Sequence, residues 1–151
     1  MIFCDKNELY IESDVKPNVC ARTILPSMIQ SEIDDIEKKP FLNKKGVTYT
    51  ICYKGEEYRL YIPKGYTWDG ATIPFGFRWI LGGKGNPQFL IASCVHDKMC
   101  ECKWLIGYNR ELSSLIFKEL LLACGCPKLK ANIMYFAVNK FQYFVPGWRD
   151  V

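Results

Sequence analysis

The run Gly46-Val-Thr-Tyr-Thr-Ile-Cys-Tyr-Lys-Gly-Glu-Glu-Tyr-Arg-Leu-Tyr-Ile-Pro63 decides the fold class. Its two arms, 46–53 and 57–63, are rich in β-branched and aromatic residues and alternate with period two, as strands with one buried face do. Between them Lys54-Gly55-Glu56 supplies a short glycine-bearing turn, so the run reads as a β-hairpin. Upstream, Glu8-Leu-Tyr-Ile-Glu12 is a further candidate strand, and Ser31 to Lys45 is a variable stretch, read as a short helix and loop.

Downstream the periodicity changes to that of helices. Asn86-Pro87 is a start signal, with asparagine as cap and proline at the first helical position. The first helix is expected from Pro87 to about Glu101. A second begins near Asn109 with Glu111 in its first turn and stops at Gly125, a residue suited to a left-handed C-terminal position. Pro127 opens a third, carrying Leu129, Ile133, Met134, Ala137, Val138 and Phe141, before the aromatic tail Phe144-Val-Pro-Gly-Trp148. The expectation is an α+β fold: an N-terminal antiparallel β-hairpin or sheet packed on a C-terminal three-helix unit. It forms one domain over 1–151, strand-rich over 1–75, helical over 87–143, with a tail at 144–151.

Composition agrees with a folded chain. At 151 residues, with 49% hydrophobic and 15% aromatic residues, it can bury a core unaided. No apolar run approaches the roughly 18 residues of a membrane span, and the acidic N-terminal residues do not form a signal peptide. The net charge of +4 is spread over mixed surface, and the cluster Lys38, Lys39, Lys44 and Lys45 lies in a polar stretch without a basic helix or an aromatic stripe, so nucleic-acid binding is not expected. Eight cysteines without a secretion signal read as reduced thiols that serve as small apolar residues. The pairs Cys100/Cys102 and Cys124/Cys126 have C-x-C spacing, short of the C-x2-C knuckle of a zinc ribbon; a zinc site using both pairs is the minority reading.

The chemically suggestive feature is His96-Asp97, inside the first helix. Helical spacing puts His96, the only histidine, on one face with Phe89, Ala92, Ser93, Met99 and Cys100. Asp97 falls on the flank of that face, roughly 100° round. An inward imidazole needs a partner, since an unpaired buried polar group costs about 1–3 kcal/mol. Asp69, in the turn Thr67-Trp-Asp-Gly-Ala-Thr-Ile-Pro74, is the preferred candidate; Ser113 and Ser114 are others. Two readings stay open. In one, His96, Asp97, Asp69 and Thr72 form a polar staple between turn and helix. In the other, His96, Asp97 and Asp69 are catalytic, with His96 a general base or metal ligand and Asp97 holding a divalent cation.

Strand, Gly65, D-G-A-T-I-P, H-D and a helix ending in glycine, in that order from about Tyr58 to Phe144, resemble the domain of unknown function 1353 family of tailed phages and prophages. The resemblance implies a phage origin rather than a reaction. Members commonly carry an aspartate in the helix after H-D, where Ser114 stands in this chain. A second similarity is to secreted and parvoviral phospholipases A2, which place H-D on a helix after a glycine-rich calcium loop. By that analogy His96 would activate a water, Asp97 would hold calcium, and carbonyls near Gly83 and Gly85 would complete its oxygen shell. Two departures weigh against it: the supporting second-helix aspartate is missing, and Cys94 and Cys100 do not reproduce the disulfide pattern of the secreted enzymes.

The leading expectation is a phage-encoded accessory or virion-associated protein, present in the host cytoplasm during infection or assembled into the particle. It would act through contacts with other phage proteins and need no cofactor. Tyr143, Phe144 and Trp148 are the candidate docking surface, because aromatic residues are enriched at interfaces. The alternative is a metal-dependent hydrolase of lipid or cell-wall material centred on His96, Asp97 and Asp69.

Overall fold

A computed structural model describes residues 9–68, 87–106 and 110–143. In chain order the elements are β1 (Tyr10–Ser13), β2 (Val19–Ala21), α1 (Gln30–Lys38), β3 (Phe41–Asn43), β4 (Val47–Tyr53), β5 (Glu56–Ile62), β6 (Thr67–Trp68), α2 (Pro87–Ile106), α3 (Arg110–Ala123) and α4 (Lys128–Tyr143). The class is α+β, with antiparallel strands followed by three packed helices.

The hairpin read from the sequence is β4–β5, in register from Tyr53↔Glu56 to Val47↔Ile62. Its two-residue loop, Lys54 and Gly55, has φ of 51° and 80°; positive φ at both positions lets the turn match the right-handed twist of the strands. Alternation buries Val47, Tyr49 and Ile51 of β4 and Leu60 and Ile62 of β5. β1 pairs antiparallel with the other edge of β4, Tyr10 opposite Cys52, giving a sheet of order β1-β4-β5.

A second sheet, β2-β3-β6, was not apparent in the sequence. Its strands are only two or three residues long, too short for an alternation to show. Phe41–Asn43 lies within the stretch read as helix and loop, which does contain the helix α1. Asn43 joins the sheets. Its Nδ2 donates to the carbonyls of Ile62 and Pro63 at 3.2 and 3.0 Å, and its backbone N–H donates to Tyr66 O at 2.8 Å. Gly65, at φ 91°, returns a bond from its N–H to Asn43 O. The chain leaving β5 is thereby turned so that Trp68 pairs with Phe41, their rings 5.7 Å apart.

α2 runs one turn beyond the expected end near Glu101 and makes the main helical contact with the strands, through β5 and β2. It packs on α3, and α3 on α4. Phe89, Ala92, Val95 and Met99 of α2 meet Leu112, Ile116, Phe117 and Leu121 of α3 and Met134 and Val138 of α4 in one buried cluster with the β4–β5 residues. α3 ends as the sequence predicts: Gly125 has φ 91°, its N–H donates to Leu122 O, and the N–H of Cys126 donates to Leu121 O. This six-to-one and five-to-two pattern is a Schellman cap. No helix among the described residues is long and apolar enough to cross a membrane.

Candidate functional site at the junction of β6 and α2

α2 presents one face of small and apolar residues to the strands and to α3. Phe89, Ala92, Ser93, His96 and Met99 are all buried, as the spacing predicts, and Cys100 is half-buried. His96 is only 2% exposed. Its ring meets the Phe117 ring edge-on at 5.6 Å, and its Nδ1 lies 3.7 Å from Cys100 Sγ one turn along α2. The nearer carboxylate oxygen of Asp97 is 3.9 Å from the same nitrogen, with the Asp97 side chain 17% exposed. Asp97 therefore turns partly toward the imidazole, and both residues make contacts additional to these.

Burial disfavours a charged imidazole, but the neighbouring Cys100 and Asp97 outweigh it and raise the His96 pKa to about 10. Burial also raises the thiol of Cys94 well above its usual value, with Asp97 and Glu101 adding to the effect, so Cys94 stays a neutral, apolar side chain.

Two contacts fasten the strand β6 to this face. The buried indole of Trp68 donates from Nε1 to Ser93 Oγ at 3.0 Å, and Ser93 Oγ donates in turn to Leu90 O at 3.1 Å. One residue pair outward, the Tyr66 hydroxyl donates to Glu101 Oε1 at 2.9 Å while its ring stacks on Trp68 at 5.9 Å. Lys98 reaches back toward the strand. Its Nζ lies 5.0 Å from the Tyr66 ring centre and 3.8 Å from Glu101 Oε2. Burial, followed by the Glu101 charge, raises the Tyr66 hydroxyl far above its ordinary value, so it remains a donor at every physiological pH. Tyr66, Ser93, Lys98 and Glu101 thus join the site. Ser93 was placed on the correct face by helical spacing; Tyr66 and Lys98 could not be, because the path from β5 to β6 depends on Asn43.

The structure brings His96 and Asp97 together. Asp69, Thr72, Gly83, Gly85, Phe144 and Trp148 lie outside the described residues, as does the side chain of Tyr143, the last residue of α4. Of the two serines offered as alternative partners for His96, Ser114 donates from Oγ to Asn139 Oδ1 of α4 at 3.4 Å, and Ser113 is fully buried. Phe117 of α3 sets its ring edge against the imidazole, and Ser113, Ser114 and His96 each make further contacts. Among the described residues no three His, Cys, Asp or Glu side chains converge as a metal cluster, and Cys20, Cys52, Cys94, Cys100, Cys124 and Cys126 are free thiols.

The His96 ring is thus buried, with Phe117 of α3 and Cys100 of α2 set against it.

Comparison with known proteins places the site in a family context. The family described as "Protein of unknown function (DUF1353)" matches residues 46–138, from the start of the hairpin through most of α4. The match therefore takes in β4, twelve residues upstream of the Tyr58 limit read from the motifs. Two curated proteins of Sinorhizobium fredii are similar. "Uncharacterized protein y4jT" is 36% identical over 87 residues, covering 58% of this chain and 24% of its own length. "Uncharacterized protein y4iH" is 29% identical over 86 residues, covering 52% of this chain and 34% of its own length. The chain thus spans between a quarter and about a third of these relatives. No solved structure matches. With most of its hairpin and helices inside the matched span, the chain belongs to the DUF1353 family of proteins of unknown function.

Proposed function

We propose that this is a phage-encoded accessory protein, associated with the virion or tail, that works through contacts with other phage proteins and catalyses no reaction of its own. The observation that carries the reading is the enclosure of His96, 2% exposed between Phe117 and Cys100. The hydrolase alternative needs an imidazole nitrogen open to substrate. Support for a contact-based role comes also from the relatives, in which the matched segment is a minor part of a longer chain. The phage setting is what the resemblance to the family implies.

On this reading the protein is made in the host cytoplasm and carried into the particle, with no cofactor. Quantitative mass spectrometry of gradient-purified virions tests it. The chain should be found at a fixed ratio to the major structural proteins, and its absence from particles would overturn the virion role.

A further inference from the structure

Two exposed apolar patches of opposite charge stand on separate elements. The first is on α4. Leu129, Ile133 and Phe136 are 74, 38 and 59% exposed, and their spacing of four and three places them on one face of the helix. Met134, Ala137 and Val138 serve the core from the opposite side, so this outer stripe contributes nothing to the packed interior. Lys140 continues the stripe, its Nζ 4.5 Å above the Phe136 ring. From Lys128 to Tyr143 the helix carries Lys128, Lys130 and Lys140 and no acidic residue.

The second patch is the turn entering α1. Ile24, Leu25 and Ile29 are 48, 50 and 64% exposed. The helix that follows bears Glu32, Asp34, Asp35 and Glu37, all exposed, with Lys38 at its last position and Lys39 just beyond it. Asp35 is paired with Arg22 at 3.0 Å, and Glu32 caps its own helix by accepting from the Ile29 N–H. Asp34, hydrogen-bonded only to the neutral amide of Gln30 among the described residues, and Glu37 are left to meet outside charge.

Isolated exposed apolar residues are ordinary, but grouped ones rimmed with polar and charged residues mark a contact surface, and the excess charge differs in sign between the two patches. Like faces cannot pair well: two α4 stripes would bring lysine to lysine, and two α1 turns carboxylate to carboxylate. Unlike faces match in both apolar and charged content. We propose that the α1 turn of one copy docks on the α4 stripe of the next, joining copies head to tail. Asp34 and Glu37 then face the lysines, and Leu25 and Ile29 cover Phe136 and Ile133. Such a heterologous contact builds a ring if the rotation between copies closes and a filament if it does not. The inference deepens the contact-based reading above by naming a second copy of this chain as one partner.

Sedimentation equilibrium of the full chain, from about 5 to about 200 µM, reads the association directly. The wild-type mass should rise with concentration beyond that of a dimer, and less so at about 0.5 M salt than at about 0.05 M, since salt screens the charged rim. Phe136→Glu blocks one face and Leu25→Lys the other. Both sites are at least half exposed, so each variant should keep the wild-type circular dichroism. Each alone should associate at least about tenfold more weakly. Their equimolar mixture should form a dimer and stop there, because each contributes one intact face. A wild type that stays monomeric throughout overturns the proposal, as does a mixture that stays monomeric. Loss of association in only one variant would indicate like-with-like pairing, and monomers that bind anionic vesicles through α4 would assign that stripe to a membrane surface; either result also overturns it. Because the mass is measured on isolated protein, this outcome stands apart from whether virions contain the chain.

Discussion

Ser93→Ala is a sharp probe of how β6 is fastened to α2. The substitution removes one oxygen and leaves almost no cavity, yet it takes away the acceptor of the Trp68 indole N–H. Trp68 is 2% and Ser93 0% exposed, so water cannot replace the lost partner. A buried donor left unsatisfied costs about 1–3 kcal/mol. For a domain of this size each kcal/mol lowers Tm by about 2–4 °C, so the expected drop is roughly 2–12 °C. A double-mutant cycle isolates the bond. Trp68→Phe removes the donor, and in that background Ser93→Ala should cost less than about 0.5 kcal/mol, giving a coupling of roughly 1–2 kcal/mol. Urea unfolding followed by far-ultraviolet circular dichroism supplies all four midpoints. If Ser93→Ala costs the same in both backgrounds, the bond is not what holds the strand, and the reasoning fails.

Other consequences are equally direct. Gly125→Ala forces a side chain into φ 91° at the end of α3 and should destabilise by about 1–2 kcal/mol, while a wild-type midpoint would show the cap is not held. The raised pKa of His96 gives a pH signature. A group whose folded pKa lies above its unfolded value of about 6.5 stabilises fully below that value and loses the contribution as pH rises through the folded pKa, here about 10. The stability advantage of wild type over His96→Gln should therefore shrink between about pH 6 and about pH 10. An advantage that grew over that window would mean the imidazole is buried neutral.

Much of this architecture was legible in the sequence where local pattern and tertiary structure agree. The hairpin announced itself through two alternating arms around Gly55, and the end of α3 through Gly125. Helical spacing put His96 on the inner face with Ala92, Ser93 and Met99, where it is found. The second sheet was hidden because strands of two or three residues have no period to read. Their existence rests on long-range bonds made by Asn43, a residue whose type alone suggests a turn. The surroundings of His96 were partly hidden for the same reason. Phe117 and Cys100 enclose the ring, but an aromatic on α3 carries no mark of which neighbouring side chain it will meet. Lys98 lies over the Tyr66 ring, a contact set by the turn after β5 that no local pattern around Lys98 announces. The third helix illustrates the limit of apolar pattern as well: Met134 and Val138 are buried while Leu129 and Ile133, of equal hydrophobic character, stand exposed.

Equilibrium urea unfolding of His96→Ala beside the wild type bears most directly on whether His96 and Asp97 are a structural staple or a working dyad. The ring is 2% exposed and packed edge-on to Phe117. Removing it should lose the buried contacts with Phe117 and Cys100 and open a cavity, a cost of about 2–4 kcal/mol. That loss, at unchanged unfolding cooperativity, is the expected result. A variant whose stability stays within about 0.5 kcal/mol of wild type would contradict it, because a side chain the fold does not need belongs to a site kept for chemistry.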